Sequence, residues 1–168
     1  QSTRAYALDK LGNSDEQARI AKQHANYLLD VFEQAEAEWG SRPSPDWLAS
    51  YAARFDDLNG ALDWAFGPSG DALLGARLAS YSVPLWFQLA RVPAGMARFE
   101  GALSSTVARR DEARAQLHLN AALGALGMFD PDFIDRRDAA WKATLHLARV
   151  LGDTAYELRA LRALYASR

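Results

Sequence analysis

The side chains best suited to hold a metal ion or move a proton near neutral pH are three histidines, His24, His118 and His146. Two imidazoles on one helix converge on a metal when they stand three or four residues apart, and no two of these do. Structural roles are expected instead, with His24 hydrogen-bonded on a mostly apolar face and His118 and His146 near helix surfaces. Asp130, Asp132 and Asp135 outline the start of a calcium loop. The next oxygen ligand falls on Ile134, however, and the glycine that such a loop needs at its sixth position is missing. Asp132 reads better as the N-cap of a helix, with Asp135 in the first turn where negative charge suits the helix dipole.

Phosphate chemistry finds no support either. A phosphate loop needs glycine-rich backbone followed by a lysine, and none of Lys10, Lys22 and Lys142 follows a glycine. No H-E-x-x-H, G-x-S-x-G or dinucleotide fingerprint is present. No catalytic residue, metal ligand or cofactor is therefore expected in this segment. The richest remaining signal is aromatic. Trp64 and Phe66 share one helical stretch, and Tyr81, Trp86 and Phe87 share another beside Gln88 and Arg91. Aromatic surface with a few polar groups is what ligand and peptide sites use, so Trp64, Tyr81, Trp86, Phe87, Gln88 and Arg91 form the candidate binding set. At helical spacing the same residues also read as plain core, the commoner use of such a pattern.

The elements that must position these residues are helices. Alanine and leucine dominate, and no alternating β-branched run lasts a strand's length. The pattern predicts an all-α chain of about nine helices arranged as antiparallel hairpins in a tetratricopeptide-like or α-solenoid array. A first helix should end at Gly12-Asn13, and Ser14 with Gln17 should open a long second one through a capping box. That second helix would put Ile20, His24, Tyr27, Leu28, Val31 and Ala35 on one face. Ser44 should cap the third helix with Pro45 at its first position. Asp71 should open a fifth, apolar nearly all round and so the most enclosed, with a bend before Pro84. Met96, Phe99, Leu103 and Val107 line the sixth helix. Ile134, Trp141, Leu145, Ala148 and Leu151 line the eighth, and Leu158, Leu161 and Leu164 the ninth. Asp111 to Leu123 loosely echoes Asp153 to Tyr165, which suggests a linker or bundle region at 1–110 and the start of helical repeats at 111–168.

Bulk properties narrow the function classes. With 168 residues, 49% of them hydrophobic and 24% charged, the chain can bury a sizeable core. A net charge of -2 and a pI near 5.9 leave no excess of cations to hold a nucleic-acid backbone. The absence of cysteine excludes disulfides and thiolate metal sites and fits a cytoplasmic location. No stretch nears the roughly 18 apolar residues of a membrane span. Both ends read as cut in mid-helix, so a segment of a longer protein is expected.

Several stretches carry a family resemblance: Thr3-Arg4-Ala5-Tyr6-Ala7-Leu8-Asp9-Lys10-Leu11, His24-Ala25-Asn26-Tyr27-Leu28-Leu29 and Phe55-Asp56-Asp57-Leu58-Asn59-Gly60-Ala61-Leu62-Asp63-Trp64-Ala65. Ala140-Trp141-Lys142-Ala143 to Leu151-Gly152-Asp153 adds a hairpin-repeat texture. Together they make the chain resemble the helical region that follows the ATPase core in bacterial signal-transduction ATPases with a winged-helix DNA-binding domain. The resemblance implies a non-catalytic module of a transcriptional regulator, which relays ligand or partner binding to a neighbouring ATPase and DNA-binding domain by changing how helices pack. Its partner would be another protein or the ATPase of the same chain, and its signal a small molecule. The competing expectation is a stand-alone helical-repeat interaction scaffold.

Overall fold

The structure, a computed structural model, describes the backbone of residues 3–107 and 112–166 and the side chains of 14–106 and 112–166. The side chains of the Thr3 to Leu11 stretch, Val107 and Asp111 lie outside the described residues. Within them the chain is all-helical, with eight α-helices: α1 (Thr3–Trp39), α2 (Ser44–Tyr51), α3 (Phe55–Ala65), α4 (Ala72–Gln88), α5 (Val92–Val107), α6 (Ala113–Leu126), α7 (Ile134–Leu151) and α8 (Thr154–Ala166). Short 3-10 turns at Ala52–Arg54, Gly127–Phe129 and Pro131–Phe133 link some of them.

The count is one fewer than the pattern predicts because the first two expected helices are one. α1 runs 37 residues straight through Gly12-Asn13. A side-chain cap at Ser14 would contribute about 1 kcal/mol, whereas continuing the helix keeps a backbone bond at every residue. Its buried stripe also differs from the expected one. Ala25, Leu28, Leu29, Phe32 and Ala35 are buried, while Ile20 and Tyr27 are about half exposed and His24 is exposed. Two apolar stripes overlap on this helix, and α3 and α4 cover the one centred on Leu29 and Phe32.

α4 is the enclosed element that its composition implies. Leu74 to Ala76, Leu78 to Ser80 and Ser82 to Trp86 are all buried. It packs on α1, α3, α5 and α6, and the helix continues through Pro84. Pro84 has no N–H to give the Ser80 carbonyl. The nearby Ser82 hydroxyl accepts from the Trp86 indole and donates to the Ala79 carbonyl. The principal core runs from Ala25 to Ala140 and draws on residues before and after 110. A smaller cluster of Ala121, Trp141 and Ala160 joins α6, α7 and α8.

Capping carboxylates set several starts. Asp71 accepts from the Leu74 amide at the head of α4, and Asp153 from the Tyr156 amide at the head of α8. Two expected caps are displaced. Ser44 is the first residue of α2, with Pro43 in the cap position. Asp130, rather than Asp132, bonds a backbone amide, and it opens the 3-10 turn ahead of α7. The outward and inward sides of the last two helices are also redistributed. Ile134, Leu158 and Leu161 are 41–50% exposed, and the inner side of α8 is Tyr156, Ala160, Ala163 and Leu164.

Candidate functional site

The six residues of the aromatic set do not gather in one place. Trp86 is core, 2% exposed, edge-on to Phe55 and Phe99. Arg91 lies over the Phe55 ring, so Trp86 and Arg91 meet through Phe55. Phe87 is on another side of α4, stacked at 3.9 Å on Phe129 and edge-on to Trp39. Gln88 is half-buried between them in sequence, in the last turn of α4. Trp64 sits apart at the end of α3, its indole N–H buried without a hydrogen-bond partner. Tyr81 lies on α4 amid charges from α1 and α8. None of the six lines any of the clefts described among these residues.

Tyr81 leads to the arrangement with the most chemistry, a polar junction of α1, α4, α6 and α8. α1 contributes Glu33 and Glu36, α4 Arg77, Ser80 and Tyr81, α6 Arg114 and His118, and the head of α8 Asp153, Tyr156 and Arg159. At its centre His118 Nδ1 and the Tyr156 phenol are 2.8 Å apart, with the rings edge-on at 4.9 Å. Around them run ion pairs: Arg77 to Glu33 at 2.8 Å, Arg159 to Glu36 at 3.5 Å and Arg114 to Asp153 at 3.7 Å. Arg159 also lies over the Tyr156 ring. The Ser80 hydroxyl is buried and faces the same phenol outside regular hydrogen-bond geometry.

Electrostatics fix the protonation states. Burial, followed by repulsion from Arg77 and more weakly from Arg114 and Arg159, lowers His118 to about 4 against the pull of Asp153. Burial raises Tyr156, with the Ser80 hydroxyl and Arg159 opposing. Burial also raises Tyr81, helped by Glu33 and Glu36. At neutral pH the imidazole and both phenols are therefore uncharged. The His118–Tyr156 contact thus joins α6 to α8 as a neutral hydrogen-bonded pair.

His118 is half-buried and bonded to Tyr156, where the sequence expectation placed it near a helix surface in a structural role. The signal that could have shown it is the spacing Asp153, Tyr156, Arg159 on one face of α8, a polar stripe on the side that Ala160 buries. A second polar cluster holds α2 against α1. Glu38 accepts from Gln34, Arg42 and Tyr51, which hold its carboxyl below the usual range, and the Trp47 indole donates to the Ala35 carbonyl.

Among the described residues no group of histidines, aspartates and glutamates could hold a metal ion, and no helix is long and apolar enough to cross a membrane. In comparisons with known proteins the chain matches no family model, no curated protein and no solved structure.

Proposed function

We propose that this chain is a non-catalytic helical module of a bacterial transcriptional regulator, which relays ligand or partner binding to a neighbouring ATPase and DNA-binding domain. The observation that carries the reading is the link from Arg159 on α8 to Glu36 on α1, across 123 positions of sequence. Through Tyr156 and His118 the same junction ties α8 to α6 and α4. Change on the tetratricopeptide-like side, α6 to α8, is thereby felt at α1. That helix reaches well beyond the core: its described residues before Ala25 are exposed or half-buried, and 37 residues span about 55 Å. Such a helix can carry a shift of its buried half to a neighbouring domain. Two packings of α8 against α4 and α6, biased by what binds, would be the switching element.

Two measurements test it. The parent reading frame should encode a phosphate loop ahead of Gln1, and its absence there would sink the regulator. Amide exchange should quicken along residues 29–39 of α1 in Tyr156→Phe, and unchanged exchange there would sink the relay. The scaffold reading is favoured by one feature, the exposed Leu158, Leu161 and Tyr165 on α8. A scaffold would leave α1 exchange insensitive to that substitution.

A further inference from the structure

α8 is the last of the described helices, and its inner side is occupied by Tyr156, Ala160, Ala163 and Leu164 against α7 and α6. Its outer side carries an apolar stripe that no described residue covers. Leu158 is 50% exposed, Leu161 41% and Tyr165 81%, and Thr154 is exposed ahead of them. Exposure of this kind on one helix usually marks a contact surface.

The spacing says what kind. Thr154, Leu158, Leu161 and Tyr165 follow one another at four, three and four residues, the seam of a left-handed coiled coil. Beside the seam runs a cleft of about 520 Å³ lined by Leu145 of α7 and by Leu161, Arg162, Leu164 and Tyr165, which leaves room for side chains of an opposing helix.

Charge selects the occupant. With Leu158 and Leu161 at the two seam positions of one heptad, Glu157 and Arg162 take the flanking positions on either side, five residues apart. In a parallel pair of identical helices, the flanking residue of one strand meets the residue five positions later on the other. Glu157 of each copy would then face Arg162 of its mate, twice by symmetry. Arg162 is exposed and has no ion-pair partner among the described residues. Glu157 accepts from Arg149 at 2.8 Å, which orients its carboxylate and leaves further lone pairs for a second guanidinium.

We propose that the outer stripe of α8 is a self-association surface, on which a second copy of this chain packs its own α8 in parallel, with Glu157 of each copy paired to Arg162 of the other. The helix is 13 residues long, about 20 Å, so the contact is small and the dimer is reversible and concentration-dependent. This inference stands on α8 alone and does not need the regulator reading.

Sedimentation equilibrium of the chain over a wide concentration range decides the matter. Self-association to a dimer is expected, with Leu161→Glu monomeric. Arg162→Glu and Glu157→Arg should each weaken the dimer roughly tenfold, since two favourable pairs become two repulsive ones. The combined Glu157→Arg, Arg162→Glu variant should recover most of the wild-type affinity. The charge variants lie on the outer side of the helix, so they remain informative if Leu161→Glu disturbs folding, which far-ultraviolet circular dichroism would reveal. A chain that stays monomeric throughout overturns the proposal. So does a double charge swap that does not rescue.

Discussion

Trp141 on α7 lies directly against Gly124 on α6: a Cβ added at Gly124 would stand 2.6 to 2.8 Å from three atoms of the indole. The indole, 2% exposed, occupies the space that a side chain at position 124 would fill. Close approach of α6 and α7 therefore depends on the missing methyl group. Gly124→Ala should destabilise the chain by about 1–3 kcal/mol despite alanine's better helix propensity. Urea unfolding followed by tryptophan fluorescence measures it, and a neutral or stabilising effect would show that the two helices separate at little cost.

Ala90 follows α4 in the left-handed region, with φ 54°. Its amide bonds the Phe87 carbonyl and the Arg91 amide bonds the Trp86 carbonyl, the pairing that ends a helix with a left-handed residue. Glycine takes that conformation without the Cβ clash, so Ala90→Gly should stabilise by about 0.5–1 kcal/mol. The mirror case is Gly152, φ 69°, which ends α7 with the same pairing. Gly152→Ala should cost about 1 kcal/mol, and thermal unfolding of the two variants should move in opposite directions.

Acid should loosen the polar junction. His118 titrates near 4 in the folded chain against an ordinary 6.5, so the unfolded chain binds the extra proton first as pH falls. Its contribution is intact above about 6.5, drains away between about 6.5 and 4, and is fully lost below that, on the order of 2–3 kcal/mol in all. Denaturant midpoints at pH 7 and pH 4.5 should therefore differ less in His118→Gln than in the wild type. Equal differences would show that other groups govern acid sensitivity.

Removing the Tyr156 hydroxyl leaves the half-buried His118 Nδ1 without its partner at 2.8 Å. Tyr156→Phe should cost about 1–2 kcal/mol. In a double-mutant cycle with His118→Gln the two losses should fall short of adding, because they remove one interaction. Strict additivity would mean that the phenol and the imidazole do not sense each other.

Much of the helix plan is written locally and can be read without the fold. Asp71 and Asp153 cap helices with their own side chains, Gly152 ends one, and the apolar stretch around Leu78 and Val83 is the enclosed helix that it promises. The junction of His118 and Tyr156 was not legible. The two residues stand 38 positions apart, and the polar spacing of Asp153, Tyr156 and Arg159 does not say which partner on another helix it meets. The aromatic set fared differently at each residue, because one helix turns Tyr81, Trp86 and Phe87 towards different neighbours.

Composition and periodicity determined by themselves that this chain is helical, where most of its helices start and stop, and that α4 lies inside. These properties depend on interactions within a few residues, through caps, turns and helix propensity. Which stripe of α1 and which side of α8 face inward was decided only by tertiary packing. Both helices carry more than one apolar stripe, and burial goes to the one that α3, α4, α6 and α7 can cover with close contact. The same packing leaves Leu158, Leu161 and Tyr165 outside and brings a histidine, a tyrosine and three arginines to one junction.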